Sequence, residues 1–384
     1  MNKTWKIGIV KDTSKPMLGL HGLHNAFRGL PGCETVAHVD SNPENIEQKM
    51  AYTGAKKHYL NYLEMLDNEK PDIAVLCSRH PGEHFEQIKA AAERGIHLYC
   101  EKPMTVSLKE ADAIIELAET HHIKICMAHP ARYALAFRTM KNMIEAGEIG
   151  APLTVYGRGK CDHRGGGEDL IVLGTHILDL QTFFFGPPEY VWADVTDAGR
   201  PIVKTDRTKT VEPLGPVAGD NIYAVFSFAG GIRGVFETRK GLYDYDRGVN
   251  NMGISVAGTA GTLTMLFDDR GDRRLRINRS PAQPDGMDRF EDVLLREDRL
   301  IPRAAPLDYA LCGQPDIPRA SFFLEANRFA AWDLMRSIEE DRLPVSNQYN
   351  ARLAQEMIYA IYASHLTRKV IDFPLADRNH PLDN

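Results

Sequence analysis

A chain of 384 residues exceeds what one ordinary hydrophobic core supports, and at roughly 150 residues per domain it reads as two domains. With 43% hydrophobic and 26% charged residues, its composition is that of a globular protein and excludes a disordered or fibrous chain. The formal net charge of −6 argues against the basic face that nucleic acid or an acidic membrane surface requires, so neither is expected as a partner.

The first ten residues pass almost at once into a strand pattern, without the apolar stretch and cleavage site of a secretory signal. No run of about 18 apolar residues follows, so the expectation is a cytoplasmic protein with no membrane span. Apolar runs at 6–10, 35–40, 73–77, 97–100 and 124–128 alternate with stretches of helical period at 84–94 and 108–121. Gly95 closes the first of these helices and Ser107 suits the amino cap of the second. Such alternation specifies a parallel sheet with helices on both faces, so residues 1–128 read as one doubly wound domain.

Residues 129–384 change character. A helix at 133–145 leads into strands at 152–159, 221–228, 232–238, 253–258 and 262–267, with glycine-marked turns between neighbours, which predicts an antiparallel or mixed sheet. Helices at 176–185, 322–340 and 350–366 would cover one face. Residues 199–220 and 268–319 read as long loops, with the basic run from Arg270 to Arg279 as solvated surface. Cys33, Cys77, Cys100, Cys126, Cys161 and Cys312 are dispersed without paired ligand spacing; they read as reduced thiols, and no metal site is expected.

The candidate chemistry clusters at strand ends. A dinucleotide-binding turn calls for Gly-x-Gly-x-x-Gly after the first strand, but here the turn from Gly8 through Gly19 to Gly22 is longer by about four residues. Lys11, Thr13, Ser14 and Lys15 stand where glycines would. Their charge and hydroxyls suit phosphate, and a plain surface loop uses the same residue types. Asp40, closing the second strand before Ser41, can accept from a ribose 2′-hydroxyl and would repel a 2′-phosphate, which favours NAD over NADP; an Asp here also forms turns. Ser78, His80 and His84 gather at another strand end, where either histidine can contact a cofactor or serve as a hydrogen-bonded structural residue. Glu101-Lys102-Pro103 ends the strand at 97–100, and a desolvated lysine there is suited to a proton relay.

The tripeptide Glu101-Lys102-Pro103, preceded by residues 91–97 and followed by Met104, belongs to an ordered set. Residues 144–150 with Pro152, Gly174-Thr175-His176-Ile177-Leu178-Asp179, and Gly258-Thr259-Ala260-Gly261 continue it over nearly the whole chain. The set resembles the Gfo/Idh/MocA oxidoreductases. That resemblance implies an N-terminal Rossmann domain, then an α/β domain with a large open, mostly antiparallel sheet, and substrate held between them. It implies transfer of a hydride between NAD, less readily NADP, and a carbinol of a sugar, polyol or glycoside, in a homodimer or homotetramer. Carried over by motif, Lys102 would touch the nicotinamide ribose and the reacting oxygen, His176 would be the acid or base, and Glu101 would line the cofactor site. His129 and Arg132 match a stretch bordering the active site, where Arg132 fixes an oxygen or a domain-linking salt bridge. Hydride loss from a carbinol needs a base at its hydroxyl and a cation for the developing alkoxide, which these residue types supply.

The family pattern Asp-x-Gly-x-His is broken at Val172. Asp162, His163, Glu168 or Asp169, in the polar segment 160–169, would fill the vacancy or decorate a flexible loop. With His176 they also suggest a divalent ion, though without recognised ligand spacing. Thr175 beside His176 is a further substrate candidate. Residues 243–247 join aromatic faces to acids, a mixture suited to sugar hydroxyls, to an exposed turn or to a subunit contact. The leading expectation is an NAD-dependent dehydrogenase. One alternative is an NAD-dependent enzyme that cleaves glycosides by transient oxidation, motivated by the polar segment and Val172. The other is a non-catalytic ligand-binding member, suggested by the altered turn and opposed by Lys102 and His176.

Overall fold

The computed structural model describes residues 3–15, 22–210, 212–243, 252–267, 275–280, 289–312 and 322–383. In chain order the first elements are β1 (Trp5–Val10), β2 (Cys33–Val39), α1 (Ile46–Thr53), β3 (Lys57–Tyr59), α2 (Tyr62–Glu69), β4 (Ile73–Leu76), α3 (His84–Ala92), β5 (His97–Cys100), α4 (Leu108–Thr120) and β6 (Ile125–Met127). Then come α5 (Leu135–Glu145), β7 (Pro152–Arg158), α6 (Gly167–Asp169), a π-helical turn (Leu170–Gly174) and α7 (Thr175–Phe185). Strands follow as β8 (Pro188–Asp197), β9 (Arg200–Pro201), β10 (Asn221–Phe228), β11 (Ile232–Arg239), β12 (Gly253–Gly258), β13 (Thr262–Leu266), β14 (Arg276–Asn278) and β15 (Glu291–Asp292). The chain closes through α8 (Phe322–Glu339), α9 (Gln348–Thr367) and β16 (Ile371–Asp372).

Two compact units result: residues 1–134 with 297–352, and residues 135–296 with 353–384. In the first, six strands run in the order β3-β2-β1-β4-β5-β6, every pair parallel. The strands are buried on both faces, as a parallel sheet between helices demands: β4 is buried at every position and β1 everywhere except Lys6. Val39, Leu76, Ile88, Leu98, Ile114 and Ile125 belong to its core. Strand order reverses at β1 and β4, and in such sheets the ligand crevice lies beyond the carboxyl ends at that reversal. The predicted cap of α4 is present, with the Ser107 side chain accepting from the Glu110 N–H.

Residues 297–352, read from sequence as part of the second domain, group with the first unit. The reason lies in side chains far apart in sequence: Tyr99 on β5 donates to Asn327 on α8 at 2.7 Å, and the Tyr133 hydroxyl donates to Asp333 at 2.9 Å.

The second unit holds the sheet β15-β14-β13-β12-β7-β11-β10-β8-β16, with β9 paired to β8. The β11 and β7 pair is parallel and the rest are antiparallel. Its register sorts the residues by face. Ala193, Ala224, Phe236, Gly157, Ile254 and Met265 line up across six strands and are all buried. The neighbouring row Trp192, Val225, Val235, Tyr156, Ser255 and Thr264 takes the opposite face, where Tyr156, Trp192, Tyr223 and Leu266 are exposed. On the inner face α7 lies close, because Gly157 has no Cβ to strike Ile177, and Gln181 Nε2 donates to the Val235 carbonyl at 2.9 Å.

Residues 199–220, expected as a loop, carry β9 and a bridge between Thr208 and Val217. Most of the 243–247 run, the basic residues 270–274 and residues 16–21 of the glycine turn lie outside the described residues.

Candidate active site

The strand ends of the first unit are built from main-chain bonds. At the end of β5 the Glu101 N–H donates to the Leu76 carbonyl at 2.9 Å, and the Lys102 N–H donates to Glu101 Oε1 at 3.0 Å. Lys102–Pro103 is a cis peptide, and Glu101 and Lys102 are only 2% and 1% exposed. A side chain at that depth is desolvated, and the neighbouring Glu101 carboxylate holds the main-chain N–H of Lys102.

Behind this turn stands His84. Its Nδ1 lies 3.0 Å from the Pro103 carbonyl oxygen and 3.2 Å from that of Met104, and its Nε2 lies 3.0 Å from the Ser78 carbonyl oxygen. Burial lowers its pKa, with the carbonyls of Ser78 and Pro103 pulling the other way. His84 is 0% exposed and both ring nitrogens are used within the protein. It therefore ties the strand ends of β4 and β5 together, as the hydrogen-bonded structural residue that is one of its two sequence readings, with both ring nitrogens facing main-chain carbonyls. Ser78 Oγ accepts from the His80 N–H at 3.1 Å, and both residues are half-buried along the same edge.

The carboxyl ends of β1 and β2 lie side by side. Asp40 is 0% exposed and accepts from the Thr13 N–H at 3.0 Å, Thr13 Oγ1 at 2.8 Å and the Asn42 N–H at 2.9 Å, and it pairs with Lys49 Nζ at 2.9 Å. Burial would raise its carboxyl pKa, but the Thr13 N–H, Lys49 and the Asn42 N–H together hold it below the usual range. Exposed Ser14 donates its N–H to Asp12 Oδ1 at 2.9 Å, and exposed Ser41 donates its hydroxyl to the same carboxylate. Lys11 packs Nζ over the Tyr52 ring, 4.7 Å from its centroid, and burial lowers its pKa. Lys15 pairs with Glu83. Hydroxyls, N–H groups and acids thus gather at the adjoining carboxyl ends of β1 and β2, a mixture of donors and acceptors of the kind that ribose hydroxyls and phosphates use. Asp12 and Lys49 escaped the sequence reading. Asp12 carried a signal in the Asp-Thr-Ser run of an Asx turn.

Farther along the first unit, His129 is buried, and Arg132 is buried with Nη1 donating to the Val345 carbonyl at 3.4 Å.

In the second unit His176 and Thr175 open α7, both buried. The π-helical turn before them sets the entry of α7 by one wide turn, a feature often found at functional sites. Val172 lies within it, buried and apolar.

The segment 160–169 is packed rather than flexible. Cβ atoms on Gly165, Gly166 and Gly167 would strike Arg239, Gly219 and Val217 respectively, and Gly166 has φ +88°. Asp162 is buried, accepting from the Arg164 N–H at 2.9 Å and from Nη2 at 3.0 Å. Burial alone would raise Asp162, but Arg164 holds it below the usual carboxylate range. Asp169 is buried too, its Oδ2 accepting from the Cys161 N–H at 3.1 Å and from the Thr238 hydroxyl, and burial raises its pKa. Glu168 is half-buried and His163 is exposed. Arg164 and Thr238, the partners of these two acids, were not visible as site residues from sequence. Among the described residues no three His, Cys, Asp or Glu side chains are grouped so as to hold a metal ion.

A parallel sheet whose order reverses at β1 and β4, with a buried Glu-Lys-Pro strand end, defines the class: a Rossmann-type dinucleotide-binding fold. Residues 18–129 match the family model described as "Oxidoreductase family, NAD-binding Rossmann fold", and residues 137–264 match the "GFO/IDH/MocA C-terminal domain". The chain belongs to the Gfo/Idh/MocA family.

It is 24% identical to the myo-inositol 2-dehydrogenase of Thermotoga maritima over 244 residues, covering 62% of this chain and 72% of that protein. With the D-apiose dehydrogenase of Paraburkholderia graminis it shares 25% identity over 257 residues, 64% of either chain. Levoglucosan dehydrogenase in complex with NADH and levoglucosan superposes with a TM-score of 0.73 at 20% identity, covering 96% of this chain and 99% of that one, a likeness of fold.

Proposed function

We propose that this protein is an NAD-dependent dehydrogenase of a sugar, polyol or glycoside, with Lys102 and His176 serving the reacting oxygen. Bound NAD would accept the hydride from the carbinol carbon, and His176 would take the hydroxyl proton as the C=O bond forms. Lys102 stabilises the developing alkoxide. NAD supplies the hydride acceptor. Thr13, Ser14, Ser41, Ser78 and His80 would hold it along the strand ends, with Glu101 fixing the main chain of Lys102.

The observation that carries this reading is the buried Glu101-Lys102-Pro103 turn at the carboxyl edge of the parallel sheet, with Lys102 1% exposed. Relatives named for inositol and D-apiose oxidation support the substrate class. The half-exposed outer sheet face, with Tyr156, Trp192, Tyr223 and Leu266, supports a homodimer or homotetramer. Free, unbridged Cys33, Cys77, Cys100, Cys126 and Cys161 support a cytoplasmic location.

The test is absorbance at the reduced-nicotinamide band across a panel of sugars, polyols and glycosides. Turnover is expected with at least one of them. Lys102→Met and His176→Asn should each lower kcat/KM by about 10²–10⁴-fold while NAD still binds. A folded chain that reduces NAD with no member of the panel overturns the proposal.

A further inference from the structure

Two acids stand at the adjoining ends of β1 and β2, and they are not equivalent. Asp40, at the position where a Rossmann domain carries its ribose-reading acid, is 0% exposed and has four donors on its carboxylate: the Thr13 N–H, Thr13 Oγ1, the Asn42 N–H and Lys49 Nζ. A carboxylate offers about four lone-pair sites, so the chain itself saturates this one, and the Lys49 ammonium balances its charge. To receive a ribose hydroxyl, Asp40 would have to give up a bond from a buried ion pair or a main-chain N–H, and a broken buried pair is costly.

Asp12 differs on each count. It is half-buried, its Oδ1 takes the Ser14 N–H at 2.9 Å, and the Ser41 hydroxyl lies 3.0 Å from Oδ1 and 2.8 Å from Oδ2, where among the described residues it is the hydrogen-bond partner of Oδ2. Ser41 follows Asp40 directly and is exposed. A serine hydroxyl rotates, so a ligand hydroxyl can replace it on Oδ2 with the serine turning to accept or donate in the new arrangement. The lysines of this edge are already engaged: Lys11 over Tyr52, Lys15 with Glu83 and Lys49 with Asp40. A 2′-phosphate would therefore meet the Asp12 charge with those cations committed elsewhere.

We propose that Asp12, with Ser41, reads the adenosine ribose of the cofactor: its Oδ2 accepts the ribose hydroxyl and its charge rejects a 2′-phosphate. Asp40 is then a positioning residue that holds Thr13 and the turn carrying Asp12. This rests on the NAD-binding reading and deepens it, because the dinucleotide preference moves from the end of β2 to the turn after β1.

Titrating NADH and NADPH against the purified chain, by nicotinamide fluorescence or calorimetry, tests it without turnover. The wild type should favour NADH. Asp12→Asn should cut the NADH-over-NADPH preference at least tenfold, mainly by gaining NADPH affinity, at unchanged Tm. Ser41→Ala should leave NADPH weak, since the charge of Asp12 remains. Asp40→Asn should lower Tm and weaken both dinucleotides alike.

If NADH binds normally and Asp12→Asn leaves the preference within twofold, the role of Asp12 is overturned while the cofactor stands. A shift in preference with Asp40→Asn alone overturns it as well. Failure of the folded wild type to bind either dinucleotide overturns the cofactor reading and this inference together.

Discussion

His84 and Pro103 are joined across the strand ends of β4 and β5, with the imidazole Nδ1 3.0 Å from the proline carbonyl oxygen and no solvent access to the ring. Through this contact a residue on α3 buttresses the turn that carries Lys102. His84→Ala removes a buried ring and the N–H it donates to a main-chain carbonyl, which should cost about 2–5 kcal/mol. An ångström of displacement at the reacting group costs about 10²-fold in rate. Loss of kcat beyond what Asn or Gln at position 84 restores, with the denaturation midpoint followed in parallel, checks the relationship. Unchanged kcat in a destabilised variant would reduce His84 to a packing residue.

Acid should weaken the first unit before its carboxylates titrate. Burial lowers the pKa of His24 to about 3 and that of His38 to about 4. Both lie below the ordinary histidine value of about 6.5, so the folded state prefers the neutral rings. Their contribution is complete above about pH 6.5 and is lost as pH falls toward the folded values. Denaturant midpoints measured between pH 8 and pH 4 should fall over that window, and His38→Gln should flatten the slope. A midpoint that rises on acidification over the window contradicts this.

Asp169 has the opposite sign. Burial raises its carboxyl pKa against the bonds from Thr238 and the Cys161 N–H. The folded state therefore favours the protonated acid, with full benefit below the unfolded value of about 3.8 and progressive loss as pH rises through the folded one. Asp169→Asn keeps an acceptor for both donors and cannot ionise, so its stability relative to the wild type should improve between pH 5 and pH 8. Asp169→Leu strands those donors and should cost about 1–3 kcal/mol or more at either pH. A constant difference between wild type and Asn variant across that range would show that Asp169 is ionised throughout.

Gly157→Ala tests the seat of α7. The added Cβ would meet Ile177 and press on Gln181 Nε2 at 3.1 Å, so the helix must shift or the sheet must bend, at about 1–3 kcal/mol. Because His176 precedes Ile177, kcat should fall with stability. Combining it with Ile177→Ala should recover part of both losses through their coupling.

What the sequence reveals of this fold follows from burial. β1, β2, β4, β5 and β6 stand out as apolar runs because helices cover both sides of them. α1 buries only Thr53 and β3 is a three-residue edge strand, Lys57–Tyr59, with no buried position, so neither leaves an apolar period to read. β8 escapes because Pro, Glu and Asp dilute its alternation, although its buried residues sit at Pro188, Val191, Ala193 and Val195. The site divides in the same way. Residues fixed by local motif, such as Glu101-Lys102-Pro103 and Thr175-His176, can be found on the chain. Partnerships made across it, such as Asp40 with Thr13 or Asp169 with Thr238, depend on strand pairing that no local pattern encodes.

The return of residues 297–352 to the first unit bears on how the protein is made. A ribosome emits chain at about 5–20 residues per second, and domains at the amino end usually fold as they emerge. Here Tyr99 and Tyr133 wait for Asn327 and Asp333, roughly 200 residues away, which at that pace is about 10–40 s. The nascent Rossmann sheet must spend that interval without α8, exposing the side of β5 and β6 that the helix later covers. Truncations ending before residue 297 should accordingly yield a nucleotide domain that aggregates or recruits chaperones, whereas the 384-residue chain covers β5 and β6 with its own α8.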